Sequence, residues 1–380
     1  MISRRHALAL VAASFAASCA AQVGPAASCE RSELVYVGND STQLRAFRFD
    51  ACAGTLAPIG VVAELPKPRW TVMHPQLPVM YVANEGTGKD GGVAAFTVDR
   101  RTGALSPLNQ VDACGAGTTH LSFDRESMTL LASNFGGGSV ATVPVRADGR
   151  LDPPVSVVRA SGSGPHRRQA SPHAHAATVD PSGRFVLVAD MGADRLFVYR
   201  FDRATRSLKA EAADAARAMV ADPGSGPRRA VFGPQGNHVY VLNELTAEVQ
   251  VFNWDDGRGQ LTAMQSLRLS SDGFKGAASA SEIMVSRDGR TVYVGDRGEN
   301  TLVVYRVSPE TGALAFAQRL PSGGAGPWAF DLHSSGRWLL VANFRDNRLN
   351  LFSIDPATGQ LADTGRSIDS PSPVSVSFVR

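Results

Sequence analysis

The chain has 380 residues, 43% of them hydrophobic and 19% charged, with a formal net charge of +3. That is a globular composition, long enough for a large core and nominally for two domains. The near-neutral balance offers no electrostatic basis for binding nucleic acid or a membrane surface.

The first residues stand apart. Ser3-Arg4-Arg5-His6-Ala7-Leu8 leads into an apolar run that ends near Ala16, and small residues follow through Ala21. A charged start, a short apolar stretch and a small-residue cleavage zone describe a secretory signal over residues 1–21. The run is too short to span a bilayer. Its Arg pair points to the twin-arginine route, which carries folded proteins, so the protein is expected to be exported, to the periplasm. A lipid anchor at Cys19 is the alternative, although Ala16-Ala17-Ser18 lacks the usual large apolar residue. Cleavage removes Arg4 and Arg5 and no acid, so the net charge falls from +3 to +1.

Beyond the signal, Cys29, Cys52 and Cys114 remain, and an oxidising compartment permits a disulfide. A hairpin of residues 34–38 and 44–49, turning at Asp40-Ser41, pairs positions that sum to 81. Cys29 and Cys52 also sum to 81, so they are predicted to bond and Cys114 to stay a lone thiol.

From residue 30 to residue 380 two markers recur seven times. The first is a short apolar strand with a polar end: Val35-Tyr-Val-Gly-Asn39, Met80-Tyr-Val-Ala-Asn84, Leu130-Leu-Ala-Ser-Asn134, Val186-Leu-Val-Ala-Asp190, Val239-Tyr-Val-Leu-Asn243, Val292-Tyr-Val-Gly-Asp296 and Leu339-Leu-Val-Ala-Asn343. The second is a turn, usually Gly-rich, followed by Leu56, Leu105, Leu151, Leu208, Leu261, Leu314 or Leu361, with successive leucines 46 to 57 residues apart. Strand-and-turn repeats of this length predict an all-β fold, a seven-bladed β-propeller of four-stranded antiparallel blades. The first marker strand has no inner strand before it, and Ser372-Pro-Val-Ser-Val-Ser-Phe-Val-Arg380 is a surplus one. The ring should therefore close by pairing the C-terminal strand with the first blade, in one domain. Residues 209–221 are alanine-rich and have good helix propensity, but the repeat register makes part of them an outer strand.

Adjacent inner and marker strands are antiparallel, so the start of each inner strand shares a rim with the end of its marker strand. Inner-strand starts bring Arg69, His120, His173, His175, Arg228, Glu282 and Trp328 to that rim. Marker-strand ends bring Asn84, Glu85, Asn134, Asp190, Asn243, Glu244, Asp296, Arg297 and Asn343. The other rim carries mainly turns. His173 and His175, two apart, share a strand face. Singly, such residues are as well explained by loop latches or ion pairs between blades. Together they assemble a carboxylate, imidazoles and guanidiniums, which suit an anionic substrate that needs proton transfer. Two His and a Glu could bind zinc, but the neighbouring arginines oppose a cation, and no metal or cofactor is expected. Nucleophile-elbow and phosphate-loop sequences are missing.

These stretches resemble the lactonase family of seven-bladed propellers. The resemblance is carried by Leu130-Leu-Ala-Ser-Asn-Phe-Gly-Gly-Gly-Ser-Val140, Ser171-Pro-His-Ala-His175 with Asp180-Pro-Ser-Gly-Arg-Phe185, Gly224-Ser-Gly-Pro-Arg228, Val239-Tyr-Val-Leu-Asn-Glu244, Ala280-Ser-Glu-Ile283 and Leu339-Leu-Val-Ala-Asn343. The chain departs from the family pattern at Arg229, where many members have His, at Pro327-Trp328, where many have Pro-Arg, and at Gly38-Asn39-Asp40. The resemblance implies a catalytic set of His173 or His175 with Arg228, Glu244 and Arg297. Arg69, His120, Asn134, Asp190, Glu282 and Asn343 are expected to bind substrate. The expected activity is hydrolysis of a sugar lactone by acid–base catalysis at one mouth of the channel. The alternatives are lactonization or isomerisation of a muconate-like dicarboxylate, and a non-catalytic exported binding propeller. The expected partner is a small anionic lactone or dicarboxylate, with no nucleic acid and no membrane span.

Overall fold

A computed structural model describes residues 32–86, 91–211 and 217–379. The expected signal at residues 1–21, Cys19 and Cys29 lie outside the described residues. Seven antiparallel sheets follow one another along the chain, six of four strands and one of five. In blade 2 the strands Trp70–Met73, Val79–Asn84, Gly92–Val98 and Leu105–Asp112 run from the inside outward. Blades 3 to 7 repeat this plan. In blade 1 the inner place is taken by Pro373–Phe378, which pairs antiparallel with Glu33–Asn39, Val35 opposite Phe378 and Val37 opposite Val376. The ring thus closes between the two chain ends, as the surplus strand implied.

The marker strands are continuous apolar runs because both of their faces are covered. Val79–Asn84, Phe185–Asp190 and Thr291–Asp296 are buried at every residue. Alternate residues serve different neighbours. Tyr36 packs with Met80 and Val82 of blade 2, whereas Val35 and Val37 pack with Leu340 and Ala342 of blade 7. The core is therefore a set of seams between blades. Tyrosines at the second marker position tie these seams, their hydroxyls donating to a turn carbonyl of the next blade. The bonds are Tyr36 to Gly103, Tyr81 to Gly149, Tyr240 to Gly312 and Tyr293 to Gly359, each 2.9–3.0 Å. The accepting glycines belong to the Leu-marked turns. In two of these turns Asp99 and Asp355 cap the backbone with their Oδ1 atoms, and Gly103 and Gly359 take positive φ.

One detail differs from the sequence reading. Pairing in the first hairpin sums to 82, with Leu34 opposite Arg48 and Val37 opposite Arg45. Asn39 Oδ1 accepts from the backbone N–H of Ser41 and of Gln43, which makes a three-residue turn in place of the two-residue turn assumed. Cys52 is disulfide-bonded. The outer edge of blade 4 is divided between Ser207–Lys209, which pairs with one end of Arg195–Asp202, and Met219–Val220, which pairs with the other. The register thus held at both ends of the alanine-rich segment; residues 212–216 between them lie outside the described residues.

Candidate active site

All seven inner strands reach one cavity of about 280 Å³, through Val374, Trp70, Thr119, His175, Arg228 with Arg229, Glu282 and Trp328. Only the axis of the ring touches every blade, so the cavity lies there. A local irregularity aims most of these side chains. The pairing register slips by one residue between Thr118 and His120, Ala174 and Ala176, Pro227 and Arg229, and Pro327 and Ala329. The residues left unpaired by these slips are Thr119, His175, Arg228 and Trp328. A β-bulge adds one residue and re-aims it, and here each bulged side chain lines the cavity. Residues that follow the marker strands add Asp40, Glu85, Phe135, Glu244 and Arg297, and Arg69 stands just before the inner strand of blade 2. Arg168 comes from the connection that leads into blade 4.

Glu244 is the electrostatic centre. Its Oε1 lies 2.6 Å from Arg168 Nη1 and 3.0 Å from Arg297 Nη2, and its Oε2 lies 3.4 Å from Arg228 Nε. Burial raises its pKa, but Arg297, Arg228 and Arg168 together outweigh burial and hold it at about 2. Burial draws the Arg228 guanidinium down to about 9 while Glu244 opposes that fall, so Arg228 remains a cation at neutral pH. Its Nη1 lies against the ring nitrogens of His175. Burial, with Arg228 and Arg229 alongside, keeps the His175 pKa well below 6.5; the imidazole is neutral at pH 7. His175 Nε2 is 3.9 Å from Glu244 Oε2.

The remaining charges are paired across the same cavity. Arg229 bonds Glu282 at 2.9 Å and lies 4.2 Å over the Trp70 ring. Arg69 bonds Glu85 at 2.7 Å and Asp40 at 2.5 Å. Arg297 lies 4.6 Å over Trp328. The lining therefore holds five arginines against four carboxylates, and the surplus sits around Glu244, which faces three guanidiniums.

Of the expected residues, His175, Arg228, Glu244, Arg297, Arg69 and Glu282 line the cavity. His173 does not; its ring stacks on Phe135 at 4.5 Å, and Phe135 meets His175 edge-on at 5.4 Å. His120 is buried behind Trp70, with ring centroids 4.9 Å apart. Asn134, Asp190 and Asn343 do not line it: they are fully buried, and their side chains bond to the segments that lead from one blade to the next. Asn134 Nδ2 donates to Ala113 O, Asp190 Oδ1 accepts from the backbone of His173 and Ala193, and Asn343 Nδ2 donates to Ser322 O. The residue after the polar strand end, not the end itself, reaches the cavity, as strand alternation requires.

Arg168, Thr119, Phe135, Trp70 and Val374 were not singled out, and Asp40 and Arg229 entered only in departures from the family pattern. A periodic signal could have found Thr119: it stands fifteen residues before the polar end of its marker strand, as Arg69, His175, Arg228 and Trp328 do before theirs. Arg168 follows no such period.

The family model described as "Lactonase, 7-bladed beta-propeller" matches residues 29–378. A 6-phosphogluconolactonase of Bacillus subtilis is 31% identical over 90% of this chain and 96% of its own length. One from Pectobacterium carotovorum is 27% identical over 91% and 98%. The solved structure of a periplasmic gluconolactonase from Pseudomonas aeruginosa aligns with a TM-score of 0.85 at 33% identity, covering 92% of this chain and 99% of that one.

Proposed function

The chain belongs to the lactonase family of seven-bladed β-propellers, and from that membership we propose that it hydrolyses a sugar lactone in the axial cavity, outside the cytoplasm. The observation that carries this reading is the convergence of His175, Arg228, Glu244 and Arg297, from three blades, on one small cavity. A propeller that only binds a partner over its rim has no need of a neutral imidazole and clustered guanidiniums in a pocket of this size.

In the proposed reaction a water attacks the lactone carbonyl carbon and passes its proton to the neutral imidazole of His175. The carbonyl oxygen becomes an oxyanion, held by Arg228 and Arg297. In the resting enzyme Arg228 donates to the imidazole; turning toward the carbonyl oxygen frees that nitrogen to accept. When the tetrahedral intermediate collapses, the ring C–O bond breaks and the leaving alkoxide takes the proton back from His175. Glu244, ionised down to about pH 2, is too weak a base for this task. It holds the arginines in place and balances part of their charge.

The test is acid release from a lactone panel. We expect His175→Gln to lower kcat by roughly 10²–10⁴-fold with little change in KM. We also expect the acid limb of the wild-type pH profile to lie below pH 6.5, since protonation removes the base and this imidazole resists it. Turnover by His175→Gln within twofold of wild type would remove His175 from the role. A muconate-like dicarboxylate could use the same guanidinium surplus, so it belongs in the panel. Export is supported by the residue 1–21 signal and by similarity to a periplasmic gluconolactonase; fractionation of cells making the full chain checks it.

A further inference from the structure

The three arginines on Glu244 are not equivalent. Arg228 and Arg297 are packed in, with side chains 3% and 10% exposed, whereas the Arg168 side chain is 41% exposed and Glu244 itself 2%. Arg168 thus covers the solvent side of a carboxylate that two buried cations already neutralise. The connection that presents it is fastened one residue away. Gln169 is fully buried, its Nε2 donates to Met191 O and Asp194 Oδ1, and its Oε1 accepts from the His166 N–H. The backbone under Arg168 is therefore held while its guanidinium faces both the cavity and water.

We propose that Arg168 is the specificity-determining residue that reads a negative charge on the ligand, leaving Glu244 to pair with an incoming phosphate or carboxylate. The exchange costs little, because Glu244 keeps Arg228 and Arg297, and the local surplus of guanidinium charge is used by the ligand. The anionic arm of the substrate then sits at the solvent side of Glu244, and the lactone carbonyl lies deeper, by Arg228 and His175. The proposal rests on the lactone reading for the identity of the ligand, but its test does not depend on turnover.

The experiment measures equilibrium binding of 6-phosphogluconate, gluconate and inorganic phosphate to the purified mature protein by calorimetry. For wild type we expect 6-phosphogluconate to bind more tightly than gluconate by about ten- to a hundredfold, the weight of one charge-assisted hydrogen bond. Arg168→Met should bring the two acids to within about threefold of each other, and Arg168→Lys should restore part of the preference. Should Arg168→Met fold poorly, Arg168→Lys and Arg168→Gln carry the comparison. A phosphate preference that survives the loss of Arg168, or a wild type without one, overturns the proposal. Arg168-dependent phosphate binding in a protein that opens no lactone would instead sink the lactone reading and leave this one standing.

Discussion

Glu244 occupies a place where a carboxylate would ordinarily take up a proton. Its burial favours the neutral acid, and only the three guanidiniums reverse that preference. The dependence is mutual, since Arg228 would lose much of the support for its charge if Glu244 were neutral. Glu244→Gln keeps the shape and removes the charge, leaving buried guanidiniums uncompensated. Breaking a buried pair from one side costs about 3–5 kcal/mol, and we expect a loss of that order in denaturant unfolding, together with loss of lactone turnover. The sign with pH follows from the shift. The carboxyl has a lower pKa folded than unfolded, so its contribution is fully present above pH 4.5 and disappears as pH falls toward about 2. The stability gap between wild type and Glu244→Gln should therefore be flat from pH 5 to 8 and close in acid. A gap that widens in acid would mean that Glu244 is protonated in the folded protein.

Between the residues and the ring lie the connections, and one of them joins both halves of the guanidinium cluster. Asp194 sits in a turn with φ of 50°. Its Oδ1 accepts from Gln169 Nε2 at 2.5 Å and from the Gly226 N–H at 2.8 Å, and its Oδ2 accepts from the Gly224 N–H at 2.7 Å. Gln169 precedes nothing in the site but follows Arg168, and Gly224–Gly226 lead directly into Arg228. One carboxylate thus positions two cavity arginines that are sixty residues apart in sequence. Asp194→Ala strands three donors, at about 1–3 kcal/mol for each that stays buried. We expect a marked fall in thermal stability and a raised KM. Asp194→Asn tolerates the left-handed backbone and keeps one acceptor, so it should lie between. Equal losses in the two variants would show that the contacts do not matter individually. A close approach supports the same region, because a Cβ on Gly192 would fall 1.9 Å from Ser171 O. This scale also divides what the sequence discloses from what it hides. Marker strands and Leu turns were legible because each follows from one local cause, two-sided burial or a capped turn. Arg228, Glu244, Arg297 and His175 were legible because they stand at fixed offsets from those markers. That Asn134, Asp190 and Asn343 stay out of the cavity was not legible, because the choice between a strand's last residue and the next one depends on where pairing stops. Arg168 escaped because its connection has no counterpart in the other blades, so neither period nor strand pattern could point to it.

At the scale of the ring, closure depends on one strand that lies far along the chain from the blade it completes. Pro373–Phe378 is the inner strand of blade 1, and it contributes Val376 and Phe378 to the seam with blade 7. Phe378 meets Phe49 at 5.2 Å and His333 at 5.1 Å. Its N–H donates to Asp331 Oδ2 of blade 7, and Ser377 Oγ accepts from Thr71 Oγ1 of blade 2. The closing strand is thus gripped from blade 1 and from both neighbouring blades, and no earlier segment can take its place, since each other inner strand already has its own blade. The contacts with Phe49 and Thr71 join residues more than 300 apart in sequence, so they come late in folding. Phe378→Ala opens a cavity in this seam and should cost about 3–5 kcal/mol while leaving a closed, active ring. Truncation after Ser372 goes further: it bares the edge of Glu33–Asn39 and removes Val374 from the cavity lining. We expect the truncated chain to be insoluble or, if recovered, to lack cooperative unfolding and lactone turnover. A soluble, active protein ending at Ser372 would show that six complete blades and an open seventh suffice, and that hydrogen bonding between the chain ends is not what holds the axial residues together.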